Sequence, residues 1–132
     1  MIQRLSFWIM MIVCSVMVSG QEYDGYYTNP ILPSGADPWV VKHEGWYYYC
    51  CGVPGGIGVS RSRDLHKINP PVRVWKAPEK GQWNSTCIWA PELHFWKGKW
   101  YIFYAGGYSG PPFIHQKTGV LESVTSDAIG EY

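Results

Sequence analysis

Asp37 stands in Gly35-Ala36-Asp37-Pro38-Trp39, directly ahead of an apolar run, and among the 10 acidic residues it has the most unusual setting. Proline cannot donate to a sheet ladder, so Pro38 belongs at the start of a strand. A carboxylate entering such a strand can project into a pocket at the end of the sheet. The plainer reading is an ordinary turn aspartate before proline. A second constellation is Trp89-Ala90-Pro91-Glu92-Leu93-His94. Trp89 is placed to reach the same pocket, where an indole can stack on a sugar face. Glu92 and His94 are two residues apart, so on a strand they share a face. They read first as a buried, hydrogen-bonded pair holding the start of a sheet, and only second as catalytic groups.

Both constellations need strands to position them, and the sequence supplies these twice. Residues 36–49 read ADPWVVKHEGWYYY, and residues 90–104 read APELHFWKGKWYIFY. Each has Ala, then Pro, a strand-like run, a Gly turn and an aromatic strand. Pro38 and Pro91 lie 53 positions apart, and each is followed by its Gly after the same interval. A period of about 50 residues with several short strands per unit is the signature of a β-propeller blade. Expected strands run over residues 39–42, 46–52, 57–60 and 73–75, then 93–96, 100–105 and 119–123. Trp, Tyr, Phe, Val and Ile dominate these runs, and Gly, Pro, Asn and Asp bound them. The first hairpin is expected to turn at His43-Glu44-Gly45 and the second at Lys97-Gly98. In a propeller the innermost strand of each blade lines the central channel, which places Asp37 and Trp89 at one axial pocket. Propellers have about four to eight blades, and this chain accounts for about two. The expectation is therefore an N-terminal piece of a longer protein, whose apolar blade faces are covered by blades beyond Tyr132.

Composition agrees with an all-β protein. With 15 Gly and 10 Pro among 132 residues, a helical bundle is disfavoured. Hydrophobic residues make up 46% and the formal charge is +1, which excludes disorder and leaves no basic excess for nucleic acid. Arg4, the apolar run from Leu5 to Val18, and the small residues Ser19-Gly20 read as a signal peptide over residues 1–20. Cleavage near Gly20/Gln21 would leave residues 21–132 as the mature part, secreted or periplasmic and free of the membrane. Cys50, Cys51 and Cys87 then remain. Neighbouring strand residues point to opposite faces, so at most one of the first two pairs with Cys87. The favoured reading keeps all three as small buried hydrophobes. His43, His66 and His115 lack metal-ligand spacing, so no zinc site is expected. Asn84-Ser85-Thr86 fits a glycosylation sequon, relevant only in a eukaryotic secretory host.

Taken in order, the motifs resemble one known family. They are Asn29-Pro30-Ile31-Leu32, Gly35-Ala36-Asp37-Pro38-Trp39-Val40, Gly45-Trp46-Tyr47-Tyr48 and Ile57-Gly58-Val59-Ser60-Arg61-Ser62. Val74-Trp75, Ile88-Trp89-Ala90-Pro91-Glu92-Leu93-His94, Gly98-Lys99-Trp100-Tyr101-Ile102-Phe103-Tyr104-Ala105 and Val120-Leu121-Glu122-Ser123 follow. The chain resembles the N-terminal part of glycoside hydrolase family 43 across residues 29–132. That resemblance implies a five-bladed propeller with its active site at the mouth of the axial channel. It implies inverting hydrolysis of arabinan, arabinoxylan, xylan and related plant cell-wall glycans, with the α-L-arabinofuranosidase branch favoured. It assigns the general base to Asp37 and sugar binding to Trp89 and Pro91, with Glu92 and His94 as possible supporting residues. The general acid, a Glu, and an Asp that tunes it are expected beyond Tyr132, so residues 1–132 alone are expected to be inactive. No cofactor is implied. Calcium occurs in some members, but no ligand for it is identifiable here. A β-fructosidase shares the architecture, but its Asn-Asp-Pro-Asn motif is absent. The remaining alternative is a carbohydrate-binding propeller without catalysis.

Overall fold

The structure, a computed structural model, describes residues 29–132. The expected signal peptide and its cleavage point lie outside the described residues. Among those residues no helix is long and apolar enough to cross a membrane. The fold is all-β, with two antiparallel meanders. The first sheet contains β1 (Trp39–His43), β2 (Trp46–Val53), β3 (Gly56–Ser62) and β4 (Val72–Lys76), hydrogen-bonded in chain order. The second contains β5 (Thr86–Trp96), β6 (Lys99–Gly107) and β7 (Lys117–Glu122), also in chain order. Every expected strand is present, and most run one to three residues longer than their apolar cores suggest.

The two opening hairpins are the same turn. His43 pairs with Trp46 and Trp96 with Lys99, leaving Glu44-Gly45 and Lys97-Gly98 as two-residue loops. All four loop residues are left-handed, with φ between 48° and 82°. This matches the type I′ turn, whose twist suits the flanking strands and whose second position favours glycine. His43 is thus the last residue of β1, not part of the turn. Its ring packs on Phe95, with centroids 4.1 Å apart, which holds it in the ladder.

β5 departs most from expectation. It starts at Thr86, seven residues before Leu93, and runs through Pro91 with register shifts on either side of Trp89. Proline breaks the ladder as expected, because it has no N–H to give. The chain nonetheless re-pairs upstream, Trp89 opposite Ala105 and Thr86 opposite Gly107. Left-handed Cys87 and Ala90 absorb the irregularity.

The core lies between the sheets. Tyr48, Cys50, Ile57, Val59 and Val74 meet Leu93, Trp100, Ile102 and Tyr104, and Ala128 closes one end. Burying a side chain such as Leu93 or Ile102 contributes roughly 1.5–3 kcal/mol. The Trp39 indole Nε1 donates to the Leu93 carbonyl at 2.8 Å, which ties the first strands of the two sheets together. Asn84 Nδ2 donates to the Tyr104 hydroxyl at 2.7 Å, so the sequon asparagine serves as a core strut. Period-2 alternation sends Tyr49 and Cys51 to the opposite face from Cys50. The far face of the second sheet carries exposed Phe103 and Val120, an apolar surface that the described residues leave uncovered.

Candidate functional site

The Asp37 and Trp89 segments open on one cavity of about 470 Å³, lined also by Tyr49, Cys51, Ala90 and Pro91. Asp37 reaches it by a left-handed residue, φ 48°, immediately before Pro38. The residue before a proline prefers extended backbone, so this is a specified kink and not a relaxed turn. It lifts the exposed carboxylate to the cavity rim, clear of the ladder that begins at Trp39. Ala90 repeats the step before Pro91 with φ 45°. Trp89, immediately before it, is 41% exposed and offers an open aromatic surface beside the same space.

Tyr49 and Cys51 build the wall beneath. Tyr49 is nearly buried, and its hydroxyl lies so close to Gly35 that a Cβ there would stand only 3.4 Å away. It thereby supports the loop that delivers Asp37. Burial, and after it the neighbouring Cys51 thiol, raises the Tyr49 pKa. Burial likewise raises Cys51, against the hydrogen bond it makes with Tyr49. On the other face, burial pushes Cys50 up to about 12. Both thiols are therefore held neutral, Cys51 as part of the cavity wall and Cys50 as part of the core. The three cysteines among the described residues form no disulfide, with Cys50 and Cys51 buried and Cys87 half-buried. The tyrosines of β2, Tyr47, Tyr48 and Tyr49, pack within the sheet, and Tyr49 also gives its ring to the cavity. Strand alternation was the signal for that, since Tyr49 must face away from Tyr48 and Cys50.

Three sequence-derived candidates sit differently from expectation. Pro91 borders the cavity, but its ring is fully buried, so it shapes the wall from beneath and presents almost no surface. Glu92 and His94 do form a pair, with Oε2 and Nε2 3.5 Å apart, yet both are about half exposed and not buried. They line a separate shallow depression with Phe103, Ala105 and Thr118. The reason is alternation along β5: Pro91 and Leu93 are buried toward the first sheet, so Glu92 faces out, while His94 stays half-exposed with its ring 5.1 Å from that of Trp39. An ion pair this exposed contributes about 0–1 kcal/mol. Among the described residues, no group of three or more His, Cys, Asp or Glu side chains is placed to hold a metal ion.

One carboxylate at a rim, an exposed indole beside it and apolar walls below thus meet at one cavity. Residues 27–132 match glycosyl hydrolases family 43, and the chain belongs to that family. It is 38% identical over 108 residues to the α-L-arabinofuranosidase 43 of Humicola insolens, covering 78% of this chain and 22% of that protein. It is 37% identical over 86 residues to an extracellular exo-α-(1→5)-L-arabinofuranosidase of Streptomyces avermitilis, covering 61% of this chain and 18% of that protein. The solved α-L-arabinofuranosidase of Lactobacillus brevis superposes with a TM-score of 0.70 at 31% identity, over 80% of this chain and 35% of that one. The chain thus spans about a fifth of the length of these curated relatives.

Proposed function

We propose that residues 21–132 form the first two blades of a five-bladed propeller that hydrolyses glycosidic bonds with inversion. The favoured substrate is an α-L-arabinofuranosyl unit in arabinose- or xylose-containing plant polysaccharide. The observation that carries the reading is the shared cavity of Asp37 and Trp89, in a chain of this family. Asp37 acts as general base. It takes a proton from a water that attacks the anomeric carbon from the face opposite the leaving group. Trp89 stacks on the sugar and fixes which carbon meets that water. The glycosidic C–O bond breaks, and the departing oxygen needs a proton from a second carboxyl about 6.5–9.5 Å from the base.

Among the described residues that line the cavity, Asp37 is the one carboxylate. Glu92 faces the other side of its sheet, and Glu122 is engaged at 3.2 Å by Lys99. The general acid and the Asp that tunes it are assigned to chain beyond Tyr132, together with the blades that close the ring. The reading draws no cofactor from this part of the chain. Residues 1–20 serve as a secretion leader, in keeping with relatives named extracellular.

The test is turnover of an aryl α-L-arabinofuranoside by the whole protein and by its Asp37→Asn variant. General-base assistance is worth about 10²–10⁴-fold, so kcat falls by that factor while sugar binding persists. A whole protein that binds arabino-oligosaccharide but never hydrolyses it would make this a carbohydrate-binding propeller. Turnover by residues 21–132 alone would remove the need for a distant general acid.

A further inference from the structure

The loop between β6 and β7 is not used by the mechanism above, yet it reaches the cavity through one contact. Thr86 pairs with Gly107, so the loop leaves β6 beside the start of β5, at the end of the sheet where Trp89 lies. Phe113, in the middle of the loop, sets its ring against Trp89 with centroids 5.0 Å apart and planes at 66°, an edge-to-face contact. Phe113 does not line the cavity itself. It is left-handed, with φ 58°, which is uncommon for so bulky a residue and needs support from its surroundings.

That support is visible. The Cys87 thiol, two residues from Trp89, reaches the Ser109 carbonyl at 3.5 Å. The Phe113 amide donates to the Gly110 carbonyl at 3.1 Å, and Tyr108 stacks on His115 at 4.5 Å. The loop is therefore tied to β5, closed on itself and tied across its ends. From this braced loop Phe113 presses one side of an indole that is otherwise 41% exposed. An exposed tryptophan on an irregular strand segment would sample several rotamers. Edge contact with a fixed ring selects one of them and leaves the remaining surface free for ligand.

We propose that Phe113 is a positioning residue for substrate. It holds Trp89 in the orientation that stacks on the sugar, so the β6–β7 loop sets the grip of the site on its glycan. The inference rests on the reading of Trp89 as the sugar platform. Freezing an aromatic side chain beforehand spares the ligand that ordering cost, which corresponds to about two- to tenfold in affinity.

The experiment is a kinetic cycle on the whole enzyme with Phe113→Ala, Phe113→Tyr, Trp89→Ala and the Phe113→Ala/Trp89→Ala double variant. The substrate is an aryl α-L-arabinofuranoside, and the affinity of each variant for α-1,5-linked arabinotriose is measured by calorimetry. Phe113→Ala is expected to lower kcat/KM about three- to tenfold, through KM, with kcat within about twofold. Phe113→Tyr restores the wild-type KM. In the Trp89→Ala background, removing Phe113 changes kcat/KM by less than about twofold, because the two act as one unit. Equal losses with and without Trp89, or a loss carried by kcat and a lowered melting temperature that Phe113→Tyr fails to repair, would overturn the proposal. If the wild type binds arabinotriose without turnover, the hydrolase reading fails and the same cycle in Kd still decides on Phe113. If the wild type does not bind, both fall.

Discussion

The Asp37-Pro38 step ahead of β1 and the Ala90-Pro91 step inside β5 start their hairpins on the same left-handed backbone and differ in the side chains around it. At both, a left-handed residue precedes a proline, with φ 48° at Asp37 and 45° at Ala90. At both, the following hairpin closes on a left-handed pair, Glu44-Gly45 and Lys97-Gly98. Both starts border the same cavity. The first carries a carboxylate to that rim and the second only a methyl group. The kink at Asp37 is therefore a property of the repeated unit, not a distortion imposed by chemistry. What the first sheet adds is the charge, and what the second adds is the indole of Trp89 one residue earlier.

That comparison can be broken or sharpened in several ways. The largest effect is the loss of about 10²–10⁴-fold in kcat for Asp37→Asn, since only the first sheet supplies a carboxylate. Next come the contacts that join the two sheets. Ile102 is fully buried between the sheets, so Ile102→Ala should cost about 2–5 kcal/mol in chemical unfolding of the whole protein. Trp39→Phe should cost about 0.5–1.5 kcal/mol, because the Leu93 carbonyl loses its donor while most of the ring packing is kept. A null result there would mean that the sheets are coupled by packing alone. Ala90→Gly should be neutral or stabilising by up to about 1 kcal/mol, as glycine accepts positive φ without a Cβ clash.

The smallest effect is electrostatic and confined to the second sheet. Hydrogen bonds from Lys99, then from Tyr101, hold the Glu122 carboxyl below its ordinary value of 4.5. A group depressed on folding adds stability that is present above the unfolded value and is lost as pH falls through the folded one. The melting temperature should therefore drop slightly on acidification below about pH 4.5, and Glu122→Gln should flatten that slope. An unchanged slope would assign the acid sensitivity elsewhere.

Much of this was legible in the sequence, because the repeat carries its own punctuation. Pro38, Gly45, Pro91 and Gly98 mark strand starts and turns by what their backbones forbid or permit. The alternation that separates Tyr48 and Cys50 from Tyr49 and Cys51 is a period of two and needs no coordinates. The extension of β5 to Thr86 was not legible, since Pro91 signals a break and the re-pairing upstream depends on β6. The exposure of Glu92 and His94 followed from which face of β5 meets the first sheet, a tertiary choice. Phe113 had no signal at all: it sits in a loop whose course is set by contacts with Cys87 and Trp89.

The matched kinks before Pro38 and Pro91 also bear on ancestry. Aspartate and alanine codons differ by a single nucleotide at their second base. In a chain built from repeated units, a backbone position already formed in both sheets can acquire or shed a charge by one such change, with the scaffold left intact. Hydrolases and non-hydrolytic binders on this architecture would then be separated by a point mutation, so gene surveys should sort them by the residue at position 37 before any wider similarity.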